Sequence, residues 1–152
     1  MRVTPTLLWT LAAIAVAAWL PRATAADAQG ASAGGFQMIV HPSNPATAVD
    51  RRFVVDAFLK KVSRWPNDEV IWPADLDGDS PVRRRFSEQV LRRSVASVKT
   101  YWQQLVFSGR DVPPPELDND WQVVRYVLKH PGAIAYISSG ASLEGTKILK
   151  VR

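Results

Sequence analysis

The sequence predicts an α/β domain with a mixed sheet and flanking helices. Three observations carry this. Short apolar runs, Phe36–Val40 and Ala133–Ile137, are bounded by His-Pro and Pro-Gly stops, as strands are. Between them lie segments whose apolar residues recur at helical spacing. Strands alternate with helices along the chain, the order that puts helices on the faces of a sheet.

Each element has its own signal. Phe36–Val40 is the first strand, closed by His41-Pro42. Asp50 is placed to cap a helix through Leu59, with Phe53, Val54, Ala57 and Phe58 on one face and Lys60 and Lys61 at its C-terminal end. Trp65-Pro66-Asn67-Asp68 is a turn, and Glu69 to Trp72 or slightly beyond a second strand. Asp75 to Asp79 reads as a loop. Ser80-Pro81 opens a helix to about Arg92, because Ser caps free amides and Pro at the first position lacks the donor anyway. Phe86, Val90 and Leu91 face inward. Ser94 caps the next helix, Val95–Phe107, with Val98, Trp102 and Leu105 as its buried stripe and Gly109 as its stop. Arg110 to Glu116 is an extended proline-rich loop. Asp118 or Asn119 caps a helix to Lys129 with Val123, Val124, Val127 and Leu128 inward, and His130-Pro131-Gly132 ends it. Ala133–Ile137 is a buried strand, Ser138–Gly145 a loop, and Lys147–Val151 the last strand.

The first 26 residues read as a targeting segment. Arg2 gives a basic start, Leu7–Leu20 is uncharged and apolar, and Pro21 precedes small residues. The apolar run is shorter than the roughly 20 residues a spanning helix needs. A cleaved secretory signal is the reading, with an uncleaved anchor as the alternative. Ala23-Thr24-Ala25 and Ala26-Asp27-Ala28 both fit a peptidase site. Residues 27–35 form a small, polar, flexible leader, and 36–152 form the domain. The expected location is the periplasm.

Charge and composition exclude several classes. The chain of 152 residues carries a formal charge of +5, but cleavage removes Arg2 and Arg22 and no acid. Arg83-Arg84-Arg85 fans around its helix rather than forming a stripe, so no nucleic-acid partner is expected. With no Cys there are no disulfides, thiolate catalysis or sulfur-ligated metals. Asp75-Leu76-Asp77-Gly78-Asp79 has acids at alternate positions like a calcium loop, but Gly78 falls two places early and the terminal position falls on Phe86. It reads as a polar loop, and neither metal nor cofactor is expected. His41 and His130 each precede Pro at the end of an element, and no nucleophile elbow or zinc-protease pair is present, so the chain is expected not to be an enzyme. Of six Trp, Trp9 and Trp19 lie in the targeting segment; Trp65, Trp72, Trp102 and Trp121 remain for packing.

One local pattern suggests a ligand. A helix N-terminus presents free amides and the positive end of the dipole. At Ser80-Pro81-Val82-Arg83 these join a hydroxyl and a guanidinium, a candidate oxyanion site at Ser80, Val82 and Arg83. A capped helix that binds nothing is the alternative.

Longer stretches resemble a known family. Ile39-Val40-His41-Pro42-Ser43-Asn44-Pro45, then Phe53–Lys60, then Arg64-Trp65-Pro66 resemble the phosphate-type periplasmic solute-binding proteins. Val124–Val127 followed by Lys129–Ile137, with Pro131-Gly132-Ala133-Ile134, is similar to that family's Pro-Gly-Ala-Ile segment. Tyr101-Trp102 through Phe107–Arg110 is similar to a shorter, single-lobe branch. The resemblance implies one periplasmic-binding-protein-like lobe, with a mixed sheet and flanking helices, that binds phosphate or a related oxyanion for an ABC-type uptake system. Its partners would be a membrane permease or a periplasmic protein. The family's loop, Arg-Ser-x-Gly-Ser-Gly-Thr, falls on Leu76–Val82. Ser80 matches its second Ser, whereas Leu76 stands for the Arg, Pro81 for the last Gly and Val82 for the Thr, leaving Arg83 as the counter-charge. The same losses suggest the alternative, an interaction or adaptor protein that kept the fold and lost the ligand. A hydrolase ranks last.

Overall fold

A computed structural model describes residues 35–152. The targeting segment and nearly all of the 27–35 leader lie outside the described residues. Phe36–Val40 (β1) and Ala133–Ser138 (β6) are the central pair of a four-stranded sheet. They run antiparallel, with Phe36 opposite Ser138 and Val40 opposite Ile134. Residues 133–137 are all buried, which is why that run is continuously apolar rather than alternating. Trp72–Pro73 (β3) joins β6 in parallel, and Lys147–Ile148 (β7) joins β1 antiparallel, giving the order β3-β6-β1-β7. The sheet is mixed, as expected.

Helices cover it. Arg51–Phe58 (α1) buries Val54, Ala57 and Phe58. Pro81–Phe86 (α2) starts at Ser80, whose Oγ accepts from the Arg83 N–H at 3.4 Å. Expected to continue regularly to Arg92, it instead widens into a π-helical turn, Ser87–Leu91, that stops where Arg92 takes φ of 56°. Phe86, Val90 and Leu91 are buried as expected. Val95–Phe107 (α3) is capped by Ser94, which accepts from the Ser97 N–H at 3.1 Å, and Gly109 follows it at φ 66°. Asp120–Lys129 (α4) is capped by Asn119, packs on β6 and buries Val123, Val124 and Val127. Inside, Phe86 stacks on Tyr136 with ring centroids 3.9 Å apart, and Phe58 meets Phe86 at 4.7 Å.

Four local expectations are corrected. Glu69 and Val70 are not in a strand with Trp72: Trp65 N–H reaches the Glu69 carbonyl at 2.8 Å, so this piece folds back on Arg64 around Asp68 at φ 67°. Asp75 and Leu76 are not loop but strand β4, paired in parallel with Glu116–Leu117 (β5). The last strand breaks at Leu149, whose side chain enters the core; Lys150–Val151 (β8) then pairs in parallel with Ala48–Val49 (β2). Asp50 stands at the start of α1, but its side chain makes no capping bond. Among the described residues no helix is long and apolar enough to cross a membrane.

Candidate functional site

The strand-to-helix passage from β4 to α2 holds the predicted site residues. The short parallel pairing of β4 with β5 fixes Asp75 and Leu76 inside, and the chain then leaves through an exposed turn in which Asp79 N–H reaches Asp77 Oδ1 at 2.8 Å. Ser80 is half-buried and caps α2. Val82 turns its side chain into the core. Arg83 is 2% exposed and faces inward. The structure thus brings Ser80 Oγ and the Arg83 amide together, while the Arg83 guanidinium is engaged inside by Asp75 and the Leu76 carbonyl.

That guanidinium is part of a buried network. Its Nη1 pairs with Asp75 Oδ1 and also donates to the Leu76 carbonyl at 3.3 Å. Its Nη2 lies 4.0 Å from Glu116 Oε1, and its Nε has no hydrogen-bond partner. Tyr136 donates its hydroxyl to Asp75 Oδ1 at 2.5 Å and accepts from the Leu76 N–H at 3.3 Å. Burial holds the Arg83 pKa below its ordinary value, opposed by Tyr136 and Glu116. Burial also pushes the Tyr136 phenol well up, against the pull of Arg83 and the Leu76 amide. Asp75, read from sequence as a loop acid, is therefore the partner of an internal cation.

Two further charged residues lie near these. Lys99 of α3 reaches over the β4–α2 turn: a Cβ placed on Gly78 would lie 2.9 Å from Lys99 Nζ. Among the described residues Lys99 has no hydrogen-bond or ion-pair partner. Beside it, Arg83 and Glu116 open onto a cleft of 330 Å³ between α3 and the proline-rich segment. Sequence reasoning missed Lys99, Glu116 and Tyr136. The only signal for Asp75 was its position between Ala74 and Leu76, an acid flanked by apolar residues. No group of three or more His, Asp or Glu able to hold a metal occurs among the described residues.

This arrangement of a mixed sheet, flanking helices and a loop-to-helix turn beside the central strands is the α/β fold of the phosphate-type solute-binding proteins. It is similar to a Clostridium perfringens structure described as a phosphate ABC transporter substrate-binding protein with bound phosphate, at TM-score 0.61 and 21% identity over 77% of this chain and 44% of that one. It is similar as well to an ABC-type phosphate transport receptor from Vibrio cholerae, at TM-score 0.60 and 16% identity over 77% of this chain and 46% of that one. PstS from Borrelia burgdorferi matches at TM-score 0.59 and 13% identity over 78% of this chain and 47% of its own. The chain spans less than half the length of each of these proteins. No protein-family model matches the chain, and no curated protein does.

Proposed function

We propose that this chain is an exported, non-enzymatic lobe of the solute-binding type that takes phosphate or a related oxyanion where the Asp77–Ser80 turn enters α2. It would serve an ABC-type uptake system, with a membrane permease as partner. The observation that carries the reading is Lys99. Its unpaired ammonium lies over Gly78, on the turn where the family's oxyanion loop falls by resemblance, and supplies the cation that Leu76 lacks. Ser80 offers a hydroxyl, and the Val82 amide belongs to the first turn of the helix. Arg83 acts from behind: Asp75 largely neutralises it, so its charge reaches the ligand weakly.

Affinity is low on this reading. Asp77 and Asp79 are exposed carboxylates on the same turn and repel an anion. Calorimetric titration of the purified protein with phosphate and with sulfate tests it. Heat at millimolar ligand, weakened about tenfold in Lys99→Gln by loss of a charge-assisted hydrogen bond, is the expected result. No heat at millimolar ligand sinks the reading.

A second reading is an adaptor that kept the fold and lost the ligand. The inward pairing of Arg83 with Asp75 favours it, because the cation expected to meet the anion is already matched. A pull-down from periplasmic extract that returns no reproducible partner counts against it.

A further inference from the structure

We infer that the anion received by this lobe is organic, with a compact apolar body that lies in the cleft beside Lys99. The inference rests on the reading of Lys99 as the ligand's counter-charge. The cleft measures 330 Å³, inside the range of about 300–1,000 Å³ that small-molecule sites occupy, and a bare phosphate would leave much of it as wet apolar wall. That wall is Trp102, Val106 and Phe107 of α3, with Pro113 of the proline-rich segment. Phe107 is 89% exposed and Val106 48%, so nothing in the described fold covers them. Apolar groups left open in this way gain from any apolar group that displaces water from them.

The polar lining fixes the other half of the ligand. Arg83 forms part of the cleft although it is almost wholly buried, and its Nε lacks a partner. That Nε is sealed inside the protein, so it does not meet a ligand in the cleft. Asp75 already pairs with the Arg83 guanidinium, so Lys99 is the unpaired cation of the cleft, with the half-exposed Glu116 carboxylate on the same wall. One unpaired ammonium suits a single anionic group. Gln103 is the one further polar residue of the lining; the rest is apolar and suits a hydrocarbon or aromatic substituent. An organic phosphate monoester with an aromatic group has this chemistry, and inorganic phosphate has only half of it.

The test is calorimetry on the full chain with inorganic phosphate, phenyl phosphate, glucose 6-phosphate and benzyl alcohol, repeated on Phe107→Ala. Phenyl phosphate is expected to bind roughly tenfold more tightly than inorganic phosphate, from burying part of one ring face. Glucose 6-phosphate, anionic with a polar body, shows no such gain. In Phe107→Ala the ratio of the two affinities falls toward one, and an unchanged thermal midpoint establishes that the variant is folded. Equal binding of phosphate and phenyl phosphate overturns the inference while the oxyanion reading stands. Binding of benzyl alcohol as tight as that of phenyl phosphate overturns it too, since the anion then contributes nothing. Silence from all four ligands removes both the inference and the oxyanion reading.

Discussion

Tyr136 gives its hydroxyl hydrogen to Asp75 across 61 positions of sequence, at 2.5 Å, and the same Asp75 oxygen faces Arg83. The central strand, the short strand β4 and helix α2 are therefore tied at one carboxylate. A buried ion pair of this kind adds little net stability against an apolar replacement, but removing one member leaves a bare charge inside. Arg83→Met is expected to destabilise the fold by about 3–5 kcal/mol in urea unfolding. Adding Asp75→Asn, which keeps an acceptor for Tyr136, should recover about 2 kcal/mol of that loss. Strictly additive losses would show that the two side chains do not act as a pair.

The three tyrosines predict an alkaline limit. Tyr101, Tyr126 and Tyr136 are all shifted up from 10.0, chiefly by burial. For an acid whose folded pKa is raised, the contribution to stability is complete below the unfolded value and is lost as pH rises through the folded one. Stability should therefore hold to about pH 10 and fall above it. An ultraviolet titration should find Tyr136 the last to ionise, only as the protein unfolds. Tyr136→Phe should make the alkaline limb shallower. Ionisation of all three phenols at the ordinary value in the folded protein would refute the assignment.

Gly132 is required by a close approach. A Cβ there would lie 1.9 Å from the Val70 carbonyl oxygen, which is backbone and has no rotamer to yield. The Gly132 carbonyl also accepts from Trp72 N–H at 3.1 Å and from Trp65 Nε1 at 2.9 Å. Gly132→Ala should cost about 3 kcal/mol or more by denaturant unfolding. A loss smaller than that of an ordinary surface substitution would mean that this junction is looser than described.

The two serine caps separate stability from binding. Ser80 and Ser94 each cap a helix, so Ser80→Ala and Ser94→Ala should each cost about 1 kcal/mol. Only Ser80→Ala should also weaken phosphate binding by calorimetry. Equal phosphate affinity in the two variants would reduce the Ser80 hydroxyl to a cap.

Elements with strong end signals were legible in the sequence. Ser94 and Gly109 bracketed α3, Asn119 was one of two caps offered for α4, and β1 and β6 showed as apolar runs with sharp stops. The two-residue pairings β2–β8 and β4–β5 were not, because two residues carry no periodicity. For the same reason Asp75 passed as a loop acid: its burial follows from a pairing with a segment about forty positions away. Of the site, Ser80 could be read from its local capping pattern. An exposed lysine on a helix looks like any other, so Lys99 became visible only when α3 was laid over the β4–α2 turn.

The antiparallel pairing of β1 with β6 also sets an order of assembly. Val40 must wait for Ile134, and Phe36 for Ser138, so the middle of the sheet stays open until nearly the whole chain is present. Contacts so far apart in sequence are slow to form, because the loop between them must close first. A chain ending before Ala133 would have helices and no sheet to lay them on. The pairing of β1 with β6 thus makes the sheet one of the last parts of the fold to close.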